Sequence, residues 1–248
     1  MRQKSEGKMN TIKINAQKSV PVTPGMIGLF FEDINYNLDG GLHAEMIENR
    51  NFEALKAWGG WDDYHTEFDG SYAWKLWPEN AVSSVSIQTE LPQNEVNPHY
   101  LHAEIKAAGE GFANKAYDGI YMEAGKIYNV SFYARTASYN GEISVSICKD
   151  GIAAAQSAVS VAAEGSWNLC TLTLTADEEI RHAAFVITLT APGTVDFDFI
   201  SMMPADAVCG IFRPDLANKL KEIKPGFLRF PGGCIIEGNN LDNRRMEQ

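Results

Sequence analysis

The stretch "IYNVSFYARTASYNGEISVSICKDG" (residues 127–151) has the pattern of two short β-strands separated by tight turns. Apolar and polar residues alternate through 127–135 and again through 142–148, which is typical of strands with one buried face. An Asn-Gly pair at 140–141 and an Asp-Gly pair at 150–151 follow the two runs, and such pairs favour hairpin turns. The stretch therefore predicts antiparallel β-structure.

The same pattern extends in both directions, from about residue 69 to about residue 205. Gly, Asp-Gly, Asn-Gly or Pro separates most of the runs, as expected for turns. The further runs include "AVSSVSIQTE" (81–90), "WNLCTLTLTAD" (167–177), "HAAFVITLT" (182–190) and "TVDFDFISMMP" (194–204). Seven or more strands over about 135 residues indicate an antiparallel sandwich.

An α/β pattern flanks this β-rich region on both sides. Before it, "MIGLFFEDI" (26–34) reads as a strand buried on both faces, and "GGLHAEMIENRNFE" (40–53) has apolar residues spaced for one helical face. After it, "RPDLANKLKEIKP" (213–225) predicts a helix and "GFLRFPGG" (226–233) predicts a strand that runs into a tight loop. A further strand is predicted at "TIKINA" (11–16).

We therefore divide the chain into four predicted segments. They are an N-terminal strand segment (1–24), a first βα unit (25–60), a β-sandwich (61–205) and a second βα unit (206–248). A TIM (β/α)8 barrel needs eight strands and about 250 residues, and two parallel strands cannot close one. The predicted fold is mainly β: a sandwich inserted between the first two βα units of an incomplete barrel.

The composition argues against several classes of protein. Lys and Arg number 21 against 32 Asp and Glu, and the formal net charge of −11 disfavours nucleic acid or an anionic membrane as partner. No run of 18 apolar residues predicts a membrane span, and the start lacks the apolar stretch of a secretory signal. As written, the chain is expected to be cytoplasmic, or extracellular if a leader was removed. None of the four cysteines falls in a C-x-x-C pair, so no zinc site is expected.

Two flanking segments closely resemble a known enzyme family. "GLFFEDINYNLDGGLHAEMIENRNFE" (28–53) resembles the first βα unit of α-L-arabinofuranosidases of glycoside hydrolase family 51. "RPDLANKLKEIKPGFLRFPGGCIIEGNNLDNR" (213–244) resembles the next helix, strand and loop of the same family. The segment between them looks like a jelly-roll, galactose-binding-like carbohydrate-binding module of families 4 and 9, on "GFANKAYDGIYMEAGKIYNVSFYART" and "TVDFDFISMMP".

The resemblance implies a retaining hydrolase that removes terminal arabinofuranosyl groups from arabinan or arabinoxylan. Such chemistry uses one carboxylic acid to protonate the leaving oxygen and a second to attack the sugar, roughly 5–5.5 Å away. In the family both are glutamates from later barrel strands, so we expect no catalytic residue in this chain and no activity from the chain alone. A stand-alone carbohydrate-binding module and a mere spacer remain as alternatives. No cofactor is expected to be required.

Three residues are expected to bind substrate by this resemblance. Glu32 ends the first predicted barrel strand, where barrel enzymes place functional groups, and the resemblance implies that it accepts hydrogen bonds from arabinose hydroxyls. Arg229 lies in an apolar strand, where a buried guanidinium would need a carboxylate partner. Cys234 matches a position that lines the sugar pocket. A solvated loop carboxylate, an arginine on an open strand edge and a packing thiol are the competing interpretations.

The polar, turn-rich stretch "KAWGGWDDYH" (56–65) spans the predicted boundary between the first βα unit and the sandwich, and its aromatic rings are expected to be exposed. Trp58, Trp61 and Tyr64 are therefore candidates for a sugar-binding platform, since sugar C–H surfaces pack on flat rings. A junction that packs the sandwich against the barrel is the alternative. Trp167, which precedes "NLCTLTL", is expected in the core.

Carboxylates near the two ends of the sandwich raise the alternative of a structural calcium. Glu53 and Asp198 are the candidate ligands by resemblance, with Asp196 in reserve, yet calcium takes roughly six to eight oxygens. Glu45 and Glu48 are instead predicted to lie on the solvated face of the 40–53 helix. Because two apolar barrel strands would have uncovered edges, we also predict a homodimer or larger assembly at high concentration.

Overall fold

The computed structural model describes residues 12–15, 17–23, 25–32, 37–59 and 65–230. Among them are fifteen strands and one α-helix. They are β1 (Leu29–Phe30), β2 (Leu55–Trp58), β3 (His65–Phe68), β4 (Trp74–Trp77), β5 (Ser84–Gln88), β6 (Tyr100–Ile105), β7 (Gly111–Asn114), β8 (Ile120–Met122), β9 (Ile127–Arg135), β10 (Glu142–Lys149), β11 (Ile152–Ser160), β12 (Asn168–Thr175), β13 (Ile180–Leu189), β14 (Gly193–Pro204), α1 (Pro214–Ile223) and β15 (Leu228–Arg229). The predicted mainly β class is thus confirmed.

Two antiparallel sheets form the sandwich. One sheet has the strand order β12-β9-β14-β6-β5. The other has the order β11-β10-β13-β7-β4, with β8 also paired to β13. The opening stretch of sequence contributes one strand to each sheet, β9 to the first and β10 to the second. Its two strands therefore lie in different layers rather than in one hairpin.

The core lies between the two sheets. Alternate side chains of β9, including Phe132, are fully buried, which is the predicted alternation. The rings of Phe112 and Phe197 meet edge to face at 5.0 Å between centroids and join the layers. Burying such rings stabilises each by about 1.5–3 kcal/mol relative to leaving them exposed.

A short parallel pair lies outside the sandwich. β1 pairs with β15, with Leu29 opposite Leu228 and Phe30 opposite Arg229. The preceding helix α1 begins at Pro214, as predicted, because proline at the first helical position needs no hydrogen-bond partner for its missing N–H. The chain therefore brings its two predicted α/β segments together.

The predicted helix at 40–53 is wrong. A π-type turn occupies Leu38–Leu42, and Asp39 and Gly40 within it have non-helical backbone angles. The following residues are instead tied to the sandwich by backbone hydrogen bonds, such as Met46 N–H to the carbonyl of Met202 at 3.0 Å. Ile47 and Phe52, which suggested a helical face, are buried in the sandwich core. Packing against the sandwich, rather than a local preference for helix, thus determines the conformation of this segment.

The predicted N-terminal strand is likewise not seen in its described part. Residues 12–15 are exposed and form no strand. No helix in the described part of the chain is both long and apolar enough to cross a membrane.

Candidate functional site

The parallel pair brings two of the predicted substrate-binding residues to one edge. Glu32 follows β1 by two residues and is half-buried. Its backbone carbonyl accepts a hydrogen bond from the side-chain amide of Asn37 at 3.0 Å. Because carboxyl ends of parallel strands meet at one edge, Glu32 and the end of β15 lie on the same side of the pair.

Arg229 is exposed rather than buried within the described residues. Its guanidinium lies over the ring of Phe30, 5.2 Å from the centroid. Arg229 is exposed because β15 pairs with β1 alone among the described strands and has no second neighbouring strand to cover it. Cys234, the third predicted residue, lies outside the described residues.

A second group of polar residues lies where segment 44–54 crosses the sandwich. Glu45, predicted to be solvated, has a nearly buried side chain. Its carboxylate accepts hydrogen bonds from the backbone N–H groups of Met46, Ile47 and Met202 and from the Ser201 hydroxyl. The guanidinium of Arg50 lies 3.7 Å away. These contacts connect the segment to β14, and they indicate that Glu45 has a structural role.

Glu48, the other predicted solvated glutamate, differs from Glu45. Its carboxylate accepts a hydrogen bond from the Tyr72 hydroxyl at 3.0 Å, and this contact is exposed.

The two predicted calcium ligands lie near each other at this crossing. Glu53 accepts hydrogen bonds from the backbone N–H of His99 at 2.9 Å and is 2.6 Å from His99 Nδ1. Asp198 is fully buried. Its Oδ1 accepts a hydrogen bond from the Phe199 N–H, whereas its Oδ2 has no partner within the described residues.

The surroundings of Asp198 favour the neutral acid. Burial, with a contribution from the nearby charge of Glu53, raises the pKa of Asp198 to about 7. The Phe199 N–H and the positive charge of Arg50 act in the opposite direction. Asp198 lies at a bulge of β14, where the pairing with β9 shifts register. A buried acid of this kind is a candidate for proton uptake or for binding a cation.

Asp196, the reserve calcium candidate, is engaged elsewhere. Its carboxylate binds the guanidinium of Arg135 at 2.7 Å and lies 2.6 Å from His102 Nδ1. Across the described part of the chain, no group of three or more His, Cys, Asp or Glu side chains is arranged to hold a metal.

The aromatic candidates fall into exposed and buried groups. Trp58 is 46% exposed on the β2–β3 hairpin, where its ring stacks on His65 at 5.7 Å. Trp61 and Tyr64, the other members of the predicted platform, lie outside the described residues. Trp167, predicted to be core, is instead half-buried against Tyr100 and Arg135, and its indole N–H donates to the carbonyl of Leu91.

Comparisons with known proteins give the context for these residues. No protein-family profile matches the chain. The chain is 33% identical over 233 residues to the extracellular exo-α-L-arabinofuranosidase of Streptomyces chartreusis, which covers 92% of this chain and 26% of that protein. It is 32% identical over 256 residues to α-L-arabinofuranosidase 2 of Arabidopsis thaliana, covering 94% and 35%.

The fold is similar to that of a solved enzyme structure. The arabinose-bound MgGH51 α-L-arabinofuranosidase superposes with a TM-score of 0.74 and 25% identity, covering 88% of this chain and 36% of that one. The chain thus spans about a quarter to a third of the length of the curated relatives it matches. These similarities confirm the predicted resemblance to α-L-arabinofuranosidases; the resemblance to modules of families 4 and 9 stays a prediction.

Proposed function

We propose that this chain supplies part of a retaining α-L-arabinofuranosidase that removes terminal arabinofuranosyl residues from arabinan or arabinoxylan, and so acts in plant cell-wall polysaccharide degradation. The observation that carries the proposal is the similarity of nine-tenths of the chain to such enzymes at about one-third identity. The agreement in fold with a family 51 structure supports it.

In this proposal β1 and β15 are the first two strands of a TIM barrel. The parallel pairing of these strands supports it, since neighbouring barrel strands are parallel. The barrel strands come from residues 25–60 and 206–248, the jelly-roll sandwich of residues 61–205 is inserted between them, and segment 44–54 packs on that sandwich. The barrel then continues with strands supplied by other residues of the enzyme.

Glu32 and Arg229 serve substrate binding at the carboxyl ends of these strands. Glu32 accepts hydrogen bonds from arabinose hydroxyls, and Arg229 lies near the nucleophilic glutamate and keeps it ionised. Cys234 lines the same pocket. Both catalytic glutamates come from other parts of the barrel, because retaining chemistry needs two carboxyl groups facing each other across the sugar.

A chimera tests this proposal. The chain replaces the matching part of the Streptomyces chartreusis enzyme, and hydrolysis of an aryl α-L-arabinofuranoside is measured. We expect activity that falls by about a hundredfold in Glu32→Gln, since a lost charged hydrogen bond in the transition state costs about 2.7 kcal/mol. Glu67→Gln, at an exposed position of the β2–β3 hairpin, is the matched control. A folded but inactive chimera, or full activity in Glu32→Gln, would contradict the proposal.

The alternative is a carbohydrate-binding module that acts alone. The observation in its favour is the exposed ring of Trp58 on the β2–β3 pair, which forms a two-stranded sheet of its own. In this alternative Trp58, Trp61 and Tyr64 form the sugar platform. Affinity electrophoresis on arabinan and arabinoxylan would then show retardation that is lost in Trp58→Ala.

For Glu53 and Asp198 we propose a more specific role, as ligands of a structural calcium ion. The unpartnered Oδ2 of buried Asp198 fits a cation, and Glu53 supplies a second carboxylate nearby. Bound calcium would neutralise both charges and tie segment 44–54 to β14. Addition of calcium after chelation should raise the melting temperature by a few degrees, because a ligand that binds the folded state stabilises it. An unchanged melting temperature, or an equal rise in Asp198→Asn, would refute this site.

A further inference from the structure

Two adjoining clefts run along the line where segment 39–54 meets the sandwich. Their volumes are about 630 and 580 Å³. Gly40, His43, Met46, Ala116 and Tyr117 border both clefts, and we call the combined depression the seam trough. Each cleft is within the range of volumes that bind organic ligands.

Three tyrosine rings line the seam trough at exposed positions. Tyr117, at the boundary between the clefts, is 73% exposed. Tyr72 lines one cleft at 45% exposure, and Tyr121 lines the other at 37%. Exposed rings beside hydrogen-bonding groups provide the combination of flat apolar faces and polar edges that polyhydroxylated ligands require.

The loop that presents Tyr117 is held by several contacts. Asn114 accepts a hydrogen bond from the Ala116 N–H at 2.8 Å and donates one to the carbonyl of Glu48 at 2.8 Å. The carbonyl of Asp118 lies 3.0 Å from Nδ1 of His182. Because the loop is already ordered, presenting Tyr117 to a ligand costs little additional conformational entropy.

The backbone of this loop is also strained. Ala116 has φ +49°, a left-handed conformation that is unfavourable for a residue with a side chain. At Gly119, with φ +84°, a Cβ would approach the backbone of His182 to 2.7 Å. Backbone strain of this kind is concentrated at ligand-binding sites.

The charges along the trough favour a neutral ligand. Each of the four Lys or Arg side chains that line it is paired with a carboxylate: Arg50 with Glu45, Lys126 with Glu123, Arg181 with Glu179, and Arg213 with Asp215. An anion would compete with these carboxylates for the same cations. The chain's net charge of −11 acts in the same direction.

We propose that the seam trough binds a neutral oligosaccharide chain, with Tyr117 and Tyr121 as stacking platforms. Neither Glu32 nor Trp58 lines this site, although Leu55 at the start of β2 borders one of its clefts. Tyr121 suits the role because Arg181 lies over its ring at 4.8 Å and its hydroxyl donates to Glu179, which together fix the ring. The choice of arabinan as first probe rests on the proposed function, whereas the ligand class rests on the trough itself.

Calorimetric titration of the 248-residue chain with arabinopentaose and xylopentaose tests this. We expect binding that weakens roughly tenfold in Tyr117→Ala, since the stacking of one ring is worth about 1 kcal/mol or more. Tyr117→Phe keeps the ring and should retain the affinity. Ile152→Ala removes an exposed apolar side chain that lines neither cleft and should behave as wild type.

Absence of binding to either oligosaccharide would overturn the inference. Binding that survives Tyr117→Ala and Tyr121→Ala would also overturn it, and loss in Trp58→Ala alone would place the ligand on the hairpin. The hydrolytic chimera is assayed separately, so a failure of the trough and a failure of the proposed arabinofuranosidase activity are distinguishable.

Discussion

Glu45 and Asp198 are two buried carboxyl groups at the same crossing, with opposite surroundings. Four hydrogen bonds converge on Glu45, whereas one oxygen of Asp198 has no partner in the described structure. A buried carboxylate without hydrogen bonds is costly, and a fully hydrogen-bonded one is costly to remove. The two residues should therefore respond differently to substitution.

Asp198→Asn should change how stability depends on pH. The pKa of Asp198 rises to about 7 in the folded protein, so between about pH 4 and pH 7 the folded state holds a proton that the unfolded state has lost. Raising the pH through this window lowers wild-type stability, by at most about 1.4 kcal/mol per pH unit. The asparagine variant lacks this slope and should gain stability relative to wild type as the pH rises. Urea unfolding of both proteins at several pH values measures this difference in the free energy of unfolding.

Glu110→Gln is the control, because its effect on the pH dependence of stability should be opposite in sign to that of Asp198→Asn. Hydrogen bonds from the Ser83 hydroxyl and the Val82 N–H lower the pKa of Glu110. Its stabilising effect is thus present at neutral pH and lost on acidification, so the variant should be weakened at pH 7 and approach wild type in acid. Parallel pH profiles for wild type and Asp198→Asn would contradict the assigned surroundings of Asp198.

Glu45→Gln should destabilise the fold by about 2–4 kcal/mol, because it weakens four hydrogen bonds and removes the partner of Arg50. Glu48→Gln, which alters one exposed hydrogen bond to Tyr72, should cost less than about 1 kcal/mol and is the matched control. Chemical denaturation of both variants provides the comparison. Equal effects would show that Glu45 does not tie segment 44–54 to β14.

At the scale of elements, the sandwich strands were predictable and the segment before them was not. Alternation in 127–135 reports which face is buried, and this is a local property of the chain. Leu42, Met46, Ile47 and Phe52 mimic a helical spacing, but their burial depends on a sandwich surface formed by distant residues. Local pattern alone could not reveal that surface.

The residues of the candidate site likewise divide into those that the sequence could select and those whose role depends on distant contacts. Glu32 could be selected from the sequence because it follows an apolar strand, where barrel enzymes place functional groups. The role of Glu45 could not, since its partners Ser201 and Met202 lie 156 and 157 residues away. Nor could the sequence decide between a buried and an exposed Arg229, because the outcome depends on which strands cover β15.

Gly111 in β7 should be intolerant of substitution. A Cβ at this position would lie 1.9 Å from the carbonyl oxygen of Ile187 in the adjacent strand β13. Gly111→Ala should therefore force the two strands apart and cost at least about 3 kcal/mol. Gly109→Ala, where a Cβ meets nothing within 4 Å, should cost about 1 kcal/mol from its left-handed backbone. Thermal melting curves that coincide for the two variants would contradict the packing.

At the scale of the whole molecule, the sandwich has its own core, whereas the parallel pair leaves apolar side chains exposed. Exposed residues on or beside this pair include Ile27, Phe30, Phe227, Leu228 and Phe230. An exposed apolar patch with open strand edges promotes association. We therefore expect the predicted self-association to use this surface.

Sedimentation velocity should show a concentration-dependent dimer or larger assembly. Leu228→Glu should shift the protein toward monomer, because a charge in an apolar interface is costly to bury. Ile152→Glu, at an exposed position on β11, should leave the association unchanged. A strict monomer at high concentration would refute the prediction.

The central claim is that this chain contributes substrate-binding residues to an arabinofuranosidase whose catalytic carboxyl groups lie elsewhere. The most direct test is a sensitive aryl α-L-arabinofuranoside assay of the purified 248-residue chain, beside the chimera that adds the remainder of the relative. We predict no turnover above buffer from the chain alone and clear turnover from the chimera. Turnover by the chain alone that survives Glu32→Ala would contradict the claim.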